Sequence, residues 1–183
     1  DVKDPAWEAV WSSPGRGYQD SKGRLYFPHS RKSGDTLYSH LIYSDDHGET
    51  WHAGGTAGEK SDEWMLVERG DGTLLGNFRS NAGQNLRATA TSSDRGATWR
   101  DFSHVADLVD PVCQACLIRY DYESHQYLLF SNPADTERRR LTIRASKDEG
   151  KSWPMAKVLH EGPAAYTFAI GQDFPSSLLA RIV

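Results

Sequence analysis

Glu63, Arg79, Arg138 and Tyr166 are the side chains of this 183-residue sequence whose types could do chemistry together. Two guanidiniums, a carboxylate and a phenol make an anion-receiving site with a nucleophile at hand. Arginine suits such a site because its planar fork grips a carboxylate through two parallel hydrogen bonds. An ordinary phenol, with a pKa of about 10, is a poor nucleophile at neutral pH and needs a base beside it. These residues are scattered from position 63 to position 166. Only a fold that returns again and again to one end could gather them.

The chain carries the mark of such a fold. Ser44-Asp45-Asp46-His47-Gly48-Glu49-Thr50-Trp51 recurs as Ser92-Ser93-Asp94-Arg95-Gly96-Ala97-Thr98-Trp99, and again as Ser146-Lys147-Asp148-Glu149-Gly150-Lys151-Ser152-Trp153. The shared pattern is S-x-D-x-G-x-[TS]-W, repeating about every fifty residues. Its chemistry is that of a hairpin turn: aspartate binds backbone amides, glycine accepts a positive φ, and tryptophan supplies a large ring to bury between neighbouring sheets. Asp46, Asp94 and Asp148 therefore read as structural clamps rather than catalytic carboxylates.

Strand patterns precede the octets. Leu86, Ala88 and Ala90 alternate with Arg87, Thr89 and Thr91, and Leu141, Ile143 and Ala145 alternate with Arg140, Thr142 and Arg144. Period two is the signature of a half-buried strand. Turn signals such as Asp71-Gly72 and Ser21-Lys22-Gly23 mark further strands. The second unit is expected to hold strands near 63–69, 73–79, 85–92 and 98–103. Four antiparallel strands per repeat make a propeller blade. The sequence predicts an all-β chain of blades at about 7–54, 63–103 and 113–158, with a remnant of a fourth at 165–183. Blades need neighbours on both sides, so the chain is expected to be part of a larger propeller.

In an up-and-down blade, the turns between strands 1–2 and 3–4 share one rim, and the 2–3 loops and inter-blade links share the other. The octets fall on the first rim. Glu63 at the entry to a first strand, Arg79 at the exit of a second, Arg138 in a 2–3 loop and Tyr166 at the entry to the next unit fall on the opposite one.

The octets resemble the Asp boxes (BNR repeats) of sialidases, or neuraminidases, whose propellers have six blades. Glu63-x4-Glu68-x2-Asp71-Gly72-x6-Arg79 is similar to the stretch holding that family's nucleophile-activating glutamate and the second arginine of its carboxylate-binding triad. Arg138-x2-Leu141-Thr142-Ile143-Arg144 resembles the stretch with the last triad arginine. Gly162-Pro163-Ala164-Ala165-Tyr166 resembles the segment with the tyrosine nucleophile. The resemblance covers nearly the entire chain in matching order. It implies an exo-α-sialidase-type glycoside hydrolase that releases terminal sialic acid from glycoproteins, glycolipids or oligosaccharides with retention, and it implies no cofactor or metal. Glu63 would be the base, Tyr166 the attacking oxygen, and Arg79 and Arg138 the substrate-carboxylate ligands. The family's first triad arginine and its aspartic acid/base would lie in blades before Asp1, so these residues alone are expected to be inactive. Phe168 departs from the small or polar residue the family places there, and Arg181-Ile182-Val183 is not the missing arginine motif.

Plainer readings stand beside these. Glu63, Arg79 or Arg138 could form ion pairs between blades, and Tyr166 could simply pack in a strand. A non-catalytic Asp-box propeller that binds glycans or proteins is the alternative function. Arg139 and Arg140 read as a solvated or locally paired charge run. Cys113 and Cys116 read as structural thiols, because on a strand i and i+3 point to opposite faces. His29, with Ser30, Arg31 and Lys32, reads as a 2–3 surface loop of the first blade.

Composition sets the outer bounds. With 38% apolar and 25% charged residues the chain is globular rather than disordered. A net charge of −4 gives no footprint for nucleic acid or anionic membranes. No apolar run approaches the roughly 20 residues of a membrane span. No signal segment is visible, and the compartment stays open, a secreted or periplasmic location being the favoured reading.

Overall fold

A computed structural model describes residues 2–122 and 124–167. Most of the expected remnant at 165–183, including Phe168 and Arg181-Ile182-Val183, lies outside the described residues. Among those described there is no α-helix, and no helix long and apolar enough to cross a membrane. Three antiparallel sheets stand side by side.

The first sheet comprises β1 (Ala9–Ser12), β2 (Tyr18–Gln19), β3 (Leu25–Ser33), β4 (Thr36–Ser44) and β5 (His52–Glu59), in the order β1-β3-β4-β5 with β2 also on β3. The second runs β6 (Ser61–Glu68), β7 (Leu74–Ser80), β8 (Leu86–Ser92) and β9 (Arg100–Val109). The third runs β10 (Cys116–Tyr122), β11 (His125–Pro133), β12 (Arg139–Ser146) and β13 (Met155–Pro163). Sequential order makes every connection of the second and third sheets, and of the first from β2 onward, a simple hairpin. The first sheet has five strands rather than four because Pro14-Gly15-Arg16-Gly17 interrupts its inner strand, with Gly15 at φ 128°. Strand β9 extends six residues beyond the expected 103.

His29 to Lys32 are not a loop. They lie within β3, which pairs with β4 as far as Ser33↔Thr36. Gly34, at φ 57°, makes the turn instead. Polar side chains disguised the strand: Ser30 is buried, while His29, Arg31 and Lys32 are only partly covered.

The core fills the two seams between sheets. Along β6, Trp64 and Leu66 enter the seam with the first sheet, and Met65 and Val67 enter the seam with the third. A strand enclosed on both faces reads as a continuous apolar run rather than an alternation. Trp99 meets Trp64 edge-on at 5.3 Å, and Trp153 lies 5.6 Å from Phe130. Trp99 and Trp153 thus lie in the seams, as their size requires, whereas Trp51 packs edge-on against Phe27 at 5.5 Å on the outward face of the first sheet.

Each octet is one repeated device. Asp46, Asp94 and Asp148 accept the amide and the hydroxyl four residues on, from Thr50, Thr98 and Ser152, at 2.5–2.9 Å. These bonds hold all three carboxyls below the usual carboxylate range; for Asp94 and Asp148 they do so against opposing burial. Two residues per turn are left-handed: His47, Arg95 and Glu149 at φ 58–61°, then the glycines at 82–97°. The turn thereby aims a carbonyl at the preceding sheet. Arg24 Nη1 donates to the Arg95 carbonyl at 3.0 Å, and Arg69 Nε donates to that of Glu149 at 2.9 Å.

Candidate functional site

The site is built at the sheet ends remote from the octet turns. Its acid comes from a bulge. Strand β6 pairs Ser61 with Ser80 and then Trp64 with Phe78, so Asp62 and Glu63 share an irregular step. Such bulges re-aim side chains. This one is pinned by Ser39, whose hydroxyl contacts Ser61 Oγ at 2.8 Å and the Asp62 carbonyl at 2.7 Å. Trp11 Nε1 donates to Asp62 Oδ1 at 3.2 Å. Glu63 is thereby left with 8% of its surface exposed.

Arg79, next to last in β7, donates from Nη1 to Glu63 Oε2 at 2.7 Å. Burial opposes its charge, but the hydrogen bond and charge of Glu63, aided by Asp62 and Tyr166, outweigh that and hold the guanidinium above its ordinary value. Arg138 stands immediately before β12, and its carbonyl accepts the Ala164 amide at 2.9 Å. That bond carries the chain past β13 towards Tyr166. The Arg138 guanidinium carbon lies 5.6 Å from the centre of the Tyr166 ring. Tyr166 is half exposed and left-handed, at φ 49°. Its neighbour Thr167 is tied to the Ser131 carbonyl at 2.6 Å.

Thus Glu63 meets Arg79, and Arg138 meets Tyr166. None of the four lies at an octet turn. Arg139 and Arg140 pair locally instead, with Asp135 and Glu137 and with Glu161 respectively. Cys113 and Cys116 are both buried and not joined by a disulfide. Among the described residues, no group of three or more His, Cys, Asp or Glu is placed to hold a metal. A hollow of about 720 Å³ lies elsewhere, on the outward face of the first sheet beside Phe27, His29, Ile42 and Trp51. It borders none of the four.

Behind the site is a polar network that strand periodicity hid. Arg87 was expected on the polar face of β8, yet it is fully buried. Its Nε donates to Asn77 Oδ1 at 2.8 Å, and its Nη1 donates to the Cys113 carbonyl at 2.6 Å and lies 3.7 Å from Asp110 Oδ1. Burial lowers the Arg87 pKa, with Asp110 acting against it. Asp110 Oδ2 accepts the Cys113 amide at 3.1 Å, and Asn132 Nδ2 reaches Asp110 Oδ1 at 3.4 Å. The one sequence hint was the position: Asp110-Pro111 sits on a link between units, on the rim of the candidate site.

Comparison with known proteins agrees with this architecture. The profile of the BNR repeat-like domain matches residues 2–180. A sialidase of Micromonospora viridifaciens is 35% identical over 176 residues, which is 90% of this chain and 27% of that protein. A sialidase of Bacteroides fragilis is 35% identical over 159 residues, 83% of this chain and 29% of that protein. The structure of the Hadza microbial sialidase Hz136 superposes with a TM-score of 0.83 at 40% identity, covering 88% of this chain and 33% of that one. The chain thus spans about a third or less of the length of these relatives. An all-β structure of octet-bearing antiparallel sheets, matched by sequence and by superposition, places the chain in the BNR repeat-like domain family, with a sialidase-type β-propeller fold.

Proposed function

We propose that the protein containing this chain is an exo-α-sialidase-type glycoside hydrolase that releases terminal sialic acid from glycoconjugates with retention of configuration. The observation that supports it is the pairing of Arg138 with Tyr166 and of Arg79 with Glu63, four residues from different strands or links, at the sheet ends remote from the octet turns. Sialic acid carries a carboxylate on its anomeric carbon. A carboxylate nucleophile would approach like charge, whereas a neutral phenol avoids that repulsion. In this reading Arg79 and Arg138 hold the substrate carboxylate and orient the ring. Glu63, freed from Arg79 as the substrate carboxylate takes its place, removes the phenolic proton as the Tyr166 oxygen attacks the anomeric carbon, and the bond to the aglycone oxygen breaks as that oxygen takes a proton from the acid/base supplied by the rest of the protein. Water then displaces the tyrosine, and the two inversions give retention.

The test is Tyr166→Phe in the full-length protein, with a fluorogenic aryl sialoside as substrate. Turnover is expected to fall by about 10²-fold or more, with sialoside binding retained. Unchanged turnover, or none in the unsubstituted protein, refutes the assignment. The same reading predicts no measurable turnover by these 183 residues alone, because the third arginine and the acid/base would come from elsewhere in the protein.

A further inference from the structure

We propose that the buried Arg87–Asp110 pair and Cys113 are positioning residues for the site, acting through the turn 110–113 that links the second and third sheets. The inference rests on the function proposed above and deepens it. Two groups of that site are held from this one turn. The Val112 carbonyl accepts from Arg138 Nη2 at 3.4 Å, and the Cys113 thiol accepts the Tyr166 amide at 3.4 Å. Both are long contacts, so their directions depend on how firmly the turn is set.

The turn is set from several sides. The Asp110 amide donates to the Asn85 carbonyl at 2.9 Å, and Asp110 Oδ2 closes the turn onto the Cys113 amide. Arg87 draws in the Cys113 carbonyl, and Asn132 Nδ2 donates to the Val109 carbonyl at 2.7 Å. Gln114 Nε2 then anchors the link to the Pro14 carbonyl at 2.6 Å. Arg87, Asp110, Cys113 and Asn132 are each no more than 1% exposed. Inside this clamp Val112 adopts φ 53°. A β-branched residue avoids the left-handed region, and such strain persists only where the surroundings over-determine it. The strained residue is the one whose carbonyl faces Arg138.

A buried ion pair is poor evidence of a stability role, because apolar replacements of similar volume are often neutral or stabilising. Its geometry, however, is directional. Arg87 reaches Asn77, two residues before Arg79, and the Cys113 carbonyl with one guanidinium. It therefore ties the strand that presents Arg79 to the turn that contacts Arg138 and Tyr166. One side chain sets the spacing between the two halves of the site.

The experiment compares kcat and KM for an aryl sialoside, together with thermal unfolding, in the full-length protein. The variants are Cys113→Ala, Cys113→Ser and the double change Arg87→Met with Asp110→Leu. Displacing a reacting group by about 1 Å costs up to about 10²-fold in rate. Cys113→Ala is expected to lower kcat about tenfold with a Tm near that of the native protein, and the serine hydroxyl, again an acceptor, to restore most of it. The double variant is expected to fold, lose kcat by about tenfold or more and raise KM. Cys113→Ala with native kcat, or Cys113→Ser no better than Cys113→Ala, overturns the proposal. So does a folded double variant with native kcat and KM; if that variant fails to fold, the cysteine pair decides. Absence of turnover in the unsubstituted protein, or its indifference to Tyr166→Phe, would instead strike the proposed function.

Discussion

Three copies of one turn allow the same substitution to be made three times in one molecule. Ser44, Ser92 and Ser146 are all but sealed from solvent. Each hydroxyl accepts its glycine amide, from Gly48, Gly96 and Gly150, at 2.8, 2.8 and 2.9 Å. Each donates to its aspartate at 2.8, 2.8 and 2.7 Å. Alanine fits the space and removes these bonds, together with the long 3.4 Å contacts from the Asp46 and Asp148 amides to Ser44 and Ser146. The aspartates are reached by solvent and can turn to water, so most of the cost falls on the stranded amide. A buried donor left without a partner costs about 1–3 kcal/mol, which sets the expectation at about 2 kcal/mol for each Ser→Ala. For a cooperative unit of this size that is a fall in Tm of about 4–8 °C. Ser92→Ala should cost most, because the Gly96 amide is fully enclosed and those of Gly48 and Gly150 only partly so. The three sites lie in separate sheets and share no partner, so their effects should add. Urea unfolding followed by tryptophan fluorescence measures the differences, with exposed Ser93→Ala as the control, expected within about 0.5 kcal/mol of native. A native midpoint for Ser92→Ala, or a cost at Ser93 equal to that at Ser92, refutes the reasoning.

Other perturbations probe other links. Burial, with Arg31 and His29 adding, pushes His40 down to about 4. Against about 6.5 in the unfolded chain, the folded state binds fewer protons between those values. Stability should therefore fall as pH drops from 6.5 to 4, by (6.5 − 4) × 1.36 or about 3 kcal/mol at most, and His40→Leu should remove that slope from urea titrations. Gly72 and Gly150 share φ 82°, but a β-carbon at Gly72 meets nothing within 4 Å, whereas one at Gly150 would lie 2.6 Å from Leu75 Cδ2. Gly72→Ala should cost the backbone penalty alone, about 1 kcal/mol, and Gly150→Ala about 1–3 kcal/mol more, read by Tm. Arg79→Lys keeps the charge and loses the fork, so KM for a sialoside should rise about tenfold or more while kcat changes less.

The sequence exposes what is local. Octet turns are legible because serine, aspartate, glycine and threonine act on each other within seven residues, whatever surrounds them. The four separated site residues are legible one step later, since the repeat fixes strand order and strand order fixes which ends meet. Arg87 is not legible in this way. Alternation places it with Thr89 and Thr91 on a polar face, but the second sheet is covered on both sides, so period two no longer separates inside from outside. His29 to Lys32 fail for the complementary reason: a polar run on a strand looks like a loop until Gly34 is seen to make the turn. The strain at Val112 belongs to tertiary structure entirely, since nothing in valine favours a left-handed backbone.

The two octet carbonyls that accept from Arg24 and Arg69 both face backwards along the chain. Each new sheet can therefore fasten to one already synthesised, using groups present by the time its own third hairpin has left the ribosome. Since chains fold from the N-terminus as they emerge, at about 5–20 residues per second, each of these seams can close within seconds of its octet's appearance. An apolar strand such as Trp64–Val67 would then spend little time uncovered during synthesis.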